Sequence, residues 1–276
     1  MNAAPPAVLP VDAADLERRF GGLQRLYGDA GYAAVRAARV AVVGLGGVGS
    51  WAAEALARSG VARLVLVDLD HVAESNVNRQ VQALGATLGM AKAAALEQRL
   101  ADIHPGCELL PVEDFATADT WPALLPAPVD VVLDACDQTS AKAHLAAWSL
   151  RVGVPLVMAG AAGGKRRPQA VEVDDLALAT HDPLLAGLRQ RLRKAGAVPR
   201  QGATGLRAVF SREPVALPDA ACAVAGGIDG SLNCHGYGSS VTVTATFGFV
   251  AAAEVLRLLM LSDTAAAARN RERAVL

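Results

Sequence analysis

Residues 39–49 read Arg39-Val-Ala-Val-Val43-Gly44-Leu-Gly46-Gly47-Val-Gly49, an apolar, β-branched run that breaks into glycines. A short apolar run without polar alternation is the pattern of a strand buried on both faces. Glycines between such a strand and a helix permit a tight turn and let backbone N–H groups approach a phosphate chain. The next residues fit this reading. Ser50–Arg58 is predicted helical and Arg63–Val67 is predicted as a second buried strand. Strand, glycine turn, helix and strand open a parallel sheet. Further along, Lys92–Ile103 is predicted as an amphipathic helix, Glu108–Pro111 and Val129–Asp134 as strands, Ala141–Arg151 as helix and Pro155–Met158 as strand. The alternation over residues 39–160 predicts an α/β fold: a doubly wound, mostly parallel, Rossmann-like sheet. Before it, Leu16–Val35 reads as helical turns around a Gly21-Gly22 break. After it comes a C-terminal extension ending in an apolar helix, Val241–Leu261, with a short strand at its start left open.

Composition narrows the function classes. The chain has 276 residues, 53% hydrophobic and 19% charged, which excludes disorder as a description of the whole. A net charge of −1 excludes a nucleic-acid binder that works by overall charge, so such binding needs local asymmetry. Residues 151–212 supply one: eleven Lys/Arg stand against four Asp/Glu. The cysteines at 107, 136, 222 and 234 form no C-x-x-C pair, which argues against a disulfide framework and a Cys-only zinc site and fits a reducing cytoplasm. The five histidines show no metal-ligand spacing, so no zinc is expected. No secretory signal pattern opens the chain. Val241–Ala253 is short for a membrane span, and Glu254 and Arg257 interrupt its continuation. A buried helix is expected there, with peripheral membrane contact left open.

The residues around the glycine turn separate chemistries that share it. Asp68 comes nineteen residues after Gly49, at the end of the second strand, where a carboxylate accepts from ribose hydroxyls. Asp68-Leu-Asp70 then leads into Asn76, Asn78, Arg79 and Gln80. An NAD-dependent oxidoreductase has no need of an arginine and amides just beyond the ribose carboxylate. An enzyme attacking the α-phosphate of ATP does, because charge must be neutralised while nucleophile and pyrophosphate share the phosphorus. Arg79 offers a fixed fork to phosphate oxygens, and Lys92 a point charge. Asp137 ends a later strand on the same edge, where a carboxylate can hold Mg2+ bridging the phosphates.

Gly44-Leu-Gly-Gly-Val-Gly49, Asp68-Leu-Asp70, Ser75-Asn76-x-x-Arg79-Gln80, Gly89-x-x-Lys92 and Asp134-x-x-Asp137 together resemble the ubiquitin-activating-enzyme-like (ThiF/MoeB) superfamily over residues 16–165. Within it, Arg19-Phe20-Gly-Gly-x-x-Arg25-Leu-Tyr-Gly28, Ala159-Gly-Ala-Ala-Gly-Gly164 and Val243-Thr-Ala-Thr-Phe-Gly-Phe-Val250 resemble the tRNA threonylcarbamoyladenosine dehydratase branch, from about Leu16 to Met260. The resemblance implies one ThiF-type adenylating domain over 16–262, with a nucleotide core at 36–165, a substrate- and tRNA-facing part at 166–240 and the helix 241–261. Residues 1–15 and 263–276 would be tails.

It also implies an activity. ATP would activate the carboxylate of threonylcarbamoyladenosine in tRNA, and a nitrogen of the same side chain would close a ring and expel AMP. The alternative is an adenylyltransferase acting on the C-terminus of a ubiquitin-like sulfur carrier. By position, Gly44, Gly46, Gly47, Gly49, Asp68, Asp70, Asn76, Arg79, Gln80 and Lys92 would bind ATP and Asp137 the Mg2+. Arg79, Lys92 and Asp137 would be catalytic together with Arg25, the arginine expected to cross a homodimer into the partner's site, with Arg19 as fallback. Lys165, Arg166, Arg167, Arg189, Arg191, Arg193 and Lys194 would track tRNA phosphates. A monovalent cation (Na+ or K+) and a cysteine-desulfurase or sulfur-acceptor partner are left open. Cys234, beside His235, is a candidate thiol nucleophile, but ring closure after adenylation does not require one.

Overall fold

Val40, Val42, Leu64 and Leu66 face one side of the sheet and Ala41, Val43, Val65 and Val67 the other, and all eight are buried. That double burial explains why these strands carry no polar alternation. The computed structural model describes residues 14–216 and 237–274, with side chains as far as Leu261. Its strands are β1 (Arg39–Val43), β2 (Arg63–Val67), β3 (Glu108–Val112), β4 (Val131–Asp134), β5 (Leu156–Ala159), β6 (Val171–Asp175) and β7 (Arg207–Ser211). They form one sheet in the order β3-β2-β1-β4-β5-β7-β6, parallel throughout except for β6 against β7. The helices are α1 (Leu16–Ala37), α2 (Gly49–Arg58), α3 (Lys92–Ile103), α4 (Thr139–Val152), α5 (Pro183–Lys194) and α6 (Val241–Ala274). The core on the first side takes residues from α1, α2, α3 and α6, and that on the other from α4 and α5.

The strand order reverses between β1 and β4, which opens a crevice at their carboxyl ends. Val43 pairs with Val67 on one side and Asp134 on the other, so Gly44, Asp68 and Ala135 leave the sheet at one level. This register is what assembles the site.

Two expectations change. The break in α1 lies at Gly28 (φ 72°), while Gly21 and Gly22 sit within the helix; only the left-handed backbone requires a glycine. The basic stretch after residue 160 contains β6 and β7, which complete the sheet and were not predicted. The apolar helix over Val241–Leu261 forms as expected with no strand at its start, since Val241 is already helical, and its backbone continues helical to Ala274. The alanines and arginines of 265–274 are good helix formers.

Val241–Leu261 is long and apolar enough to cross a membrane, but Val243, Phe247, Ala251, Val255 and Leu259 lie in the core. A Cβ on Gly248 would come within 2.6 Å of the Val48 carbonyl, so α2 and α6 touch through a glycine. Glu254, buried on α6, accepts from Arg207 (2.6 Å) and Arg257 (2.6 Å), which ties the helix to β7.

His104 ends α3 and is buried against Phe20, with Nε2 3.0 Å from Arg36 Nη1. Burial first, then the nearby Arg36 and Arg19 charges, lower its pKa from 6.5 to about 4. A histidine held neutral in the fold contributes stability above its unfolded pKa, and this is lost as pH falls from about 6.5 towards 4. The unfolding free energy measured in urea should therefore drop across that window, by about 3 kcal/mol at most. His104→Gln should flatten the slope; an unchanged slope in the variant would assign it to other groups.

Candidate active site

Gly44 has φ +86°, and a Cβ on it would lie 2.8 Å from the Cys136 amide nitrogen. A Cβ on Gly49 would overlap the Gly44 carbonyl oxygen. Gly44 is thus demanded by the close approach of the β1–α2 turn to the β4 turn, and Gly49 by the tightness of the β1–α2 turn itself. Gly46 has open space where a side chain would stand, and it faces the cleft with Gly44 and Gly47.

Asp68 is buried, and its carboxylate holds the glycine turn in place. Oδ2 accepts from Leu45 N (2.6 Å) and Oδ1 from Asp70 N (2.9 Å). Burial pushes its pKa up, while the Lys92 charge and these two amides oppose the shift. Lys92 is buried at the head of α3, with Nζ 2.6 Å from Asp70 Oδ2 and 4.0 Å from Asp68 Oδ1. Its charge is therefore aimed at the cleft from beside two carboxylates. Arg79 donates from Nη1 to Ser75 O (2.7 Å) and Asn78 Oδ1 (3.0 Å), and its carbonyl accepts from Trp51 Nε1 (2.9 Å). Burial lowers its pKa below that of a solvated guanidinium.

Gln80 faces the cleft, and Gln82 behind it donates to Gln80 Oε1 (3.3 Å) and Leu45 O (2.9 Å). Asp137 and Gln138 line the cleft from the β4 turn. That turn rests on a fully buried ion pair, with Lys142 Nζ 3.1 Å from Asp134 Oδ2. Asp134 Oδ1 also accepts from Cys136 N (3.1 Å) and Cys136 Sγ (2.8 Å). The cleft's remaining walls are Asp114–Ala116, Gly160–Gly163 and the approach to α6 at Tyr237, Ser239 and Thr244.

Gly44, Gly46, Gly47, Asp68, Asp70, Arg79, Gln80, Lys92 and Asp137 therefore converge on one cleft. Gly49, Asn76 and Arg25 do not line it. Gly49 is packed behind the turn. Asn76 is buried, and its Oδ1 accepts from Ala73 N (3.0 Å), closing its own turn outside the cleft lining. Arg25 is exposed on α1, away from the cleft. Cys234 lies outside the described residues, with Cys222 and His235. The fallback Arg19 donates to Asp102 O (2.9 Å) and Ile103 O (2.7 Å), which fixes it to the end of α3. Sequence reading missed Gln82, Lys142, Phe115 and Thr244. Only Lys142, a charge inside an apolar helical pattern, gave any signal.

The basic stretch is less free than its charge suggests. Lys165 is buried and donates to His181 O (2.8 Å) and Ser211 O, and Arg189 to Leu176 O (3.0 Å) and Ala179 O (2.8 Å). These two charges satisfy carbonyls and are withdrawn from the expected phosphate track. Arg166, Arg167, Arg191 and Lys194 are exposed.

A model of the ThiF family matches residues 18–273. The chain is 41% identical over 251 residues to tRNA threonylcarbamoyladenosine dehydratase of Escherichia coli (strain K12), covering 88% of this chain and 94% of that protein. Crystal structures of the E. coli dehydratase with ATP and with AMP superpose with TM-scores of 0.81. The identities are 40% and 39%, over 93% and 91% of this chain and 98% of each of theirs. Molybdopterin-synthase adenylyltransferase of Salmonella typhimurium is 39% identical over 131 residues, 48% of this chain and 52% of that protein.

Proposed function

This chain belongs to the ThiF family, and from that we propose that it is an ATP-dependent tRNA threonylcarbamoyladenosine dehydratase. It cyclises N6-threonylcarbamoyladenosine in tRNA. The observation that carries this reading is likeness to the dehydratase over 88% of the chain, whereas the adenylyltransferase likeness covers 48%.

The chemistry follows from charge. A carboxylate oxygen of the threonylcarbamoyl group attacks the α-phosphorus and pyrophosphate leaves. A nitrogen of the same side chain then attacks the activated carbonyl, gives up its proton and expels AMP. The net change is loss of one water from the nucleoside and conversion of ATP to AMP and pyrophosphate. Ring closure is intramolecular, so positioning contributes much of the rate. Asp68 orders the glycine turn beneath the ribose and phosphates, and Arg79 and Lys92 neutralise the phosphate oxygens. Asp137 makes no hydrogen bond or ion pair with the described residues, and a half-buried carboxylate so placed fits Mg2+, which takes one or two carboxylates plus substrate phosphates. The metal, when bound, withdraws charge from the phosphates. Arg25, exposed on α1, is the residue that reaches a second protomer's site in a homodimer. The enzyme works in the cytoplasm, where its tRNA is.

Incubation with threonylcarbamoyladenosine-containing tRNA and ATP, followed by nucleoside mass spectrometry, should show loss of one water mass. Activation of a sulfur-carrier C-terminus without it would overturn the assignment. Asp137→Ala should raise the Mg2+ needed for half-maximal turnover at least tenfold; an unaltered Mg2+ titration removes Asp137 from the metal site. Arg166, Arg167, Arg191 and Lys194 meet the tRNA backbone, so added salt should weaken tRNA binding more steeply than ATP binding. Filter binding and calorimetry across a salt series check this, and equal slopes would refute it.

A further inference from the structure

α6 begins at the cleft. Tyr237 and Ser239, just before it, line the same wall as Gly47 and Arg79, and Asn78 Nδ2 donates to Ser239 O (3.0 Å), which ties the head of α6 to the turn that carries Arg79. Thr244, in the first turn of α6, is 3% exposed and lines the cleft. Its Oγ1 makes no hydrogen bond with any described residue.

That isolation is unusual. A helical threonine can return its hydroxyl to the carbonyl four residues back, and Thr246 does so, with Oγ1 2.7 Å from Thr242 O. Thr244 does not, although a buried hydroxyl without a partner is costly. The Thr244 Cβ and Arg79 Cγ each lie 3.2 Å from where a side chain on Gly47 would begin, so Thr244 adjoins the glycine turn and the phosphate-facing arginine. The N-termini of α2 and α6 meet here, and both favour negative charge.

We propose that Thr244, with the first turn of α6, is a further nucleotide-binding element: its hydroxyl donates to an anionic oxygen of the ATP triphosphate above Gly47. Oγ1 is itself buried in this structure, so the donation requires a change of χ1 rotamer that brings the hydroxyl to the cleft. The triphosphate is thus gripped between two helix N-termini. This rests on the proposed ATP-dependent function, but its first measurement, ATP affinity, needs no tRNA.

Thr244→Val keeps the volume and removes the hydroxyl. Calorimetry of the full-length protein with ATP, in EDTA and again with Mg2+, should show affinity reduced about fivefold to thirtyfold in both, with the melting temperature held or raised. Thr244→Ser should restore most of the affinity. ATP affinity unchanged in Thr244→Val overturns the proposal, as does a loss seen only in the KM for tRNA, which would place the hydroxyl on the acyl substrate. If Thr244→Val fails to fold, Thr244→Ser and Thr244→Ala decide: Ser binding ATP no better than Ala rules the hydroxyl out. Wild-type protein that binds ATP but never dehydrates the nucleoside would sink the function and leave this element standing.

Discussion

Arg79→Ala is expected to lower the rate of nucleoside dehydration by at least a hundredfold while the protein stays folded. Arg79 Nη1 donates to Ser75 O and Asn78 Oδ1, both within its own turn. The carbonyl of residue 79 still accepts from Trp51 in the variant. What disappears is a half-buried positive charge poised over the glycine turn. Removing one preorganised group of this kind typically costs 10²–10³ in rate, about 2.7–4 kcal/mol. Arg79→Lys should fall between, since an ammonium supplies the charge without the planar fork. Pyrophosphate release and circular-dichroism melts measure the two sides. Turnover at the original rate in Arg79→Ala would end the adenylation reading of the cleft.

The second large effect is on stability. Lys142 and Asp134 are both fully buried and 3.1 Å apart. Burial alone depresses an ammonium pKa, but the Asp134 carboxylate more than offsets it and holds Lys142 charged. Lys142→Met leaves a bare carboxylate under the β4 turn, and breaking such a pair costs about 3–5 kcal/mol. Replacing both, Asp134→Leu with Lys142→Met, should recover most of that loss, because an apolar pair of similar volume avoids the desolvation penalty. The recovery should not extend to the site. Asp134 Oδ1 shapes the turn by accepting from Cys136 N, and that turn abuts Gly44 and carries Asp137. Urea denaturation paired with ATP titration separates the two effects. A double variant as unstable as Lys142→Met would show that the pair does not act through charge.

Much of the molecule was legible in the linear sequence. β1, β2 and α3 fall on their predicted residues, because a glycine turn, a run of β-branched residues and a helical period are local signals. β6 and β7 were not legible. Val171-Glu-Val-Asp-Asp175 is a half-buried edge strand, and Arg207–Ser211 is held between it and Val157–Ala159, some fifty residues earlier. Among the site residues, Asp68, Arg79, Lys92 and Asp137 come after strand ends or turns that sequence already marks. Family position puts Asn76 at the phosphates, yet its oxygen closes its own turn. Lys165 and Arg189 were counted as free charges, yet they satisfy carbonyls.

Sequence by itself determined which residues are chemically able to handle a triphosphate and that they stand on one parallel sheet, since residue type, turn glycines and hydrophobic period are written locally. Only the tertiary structure decided which of them share the cleft. The register of β1 between β2 and β4 sets Gly44, Asp68 and Ala135 at one level, and the approach of α6 to α2 brings Thr244 beside Gly47. Those are contacts between residues far apart in the chain, fixed by packing and burial, and no local pattern encodes them.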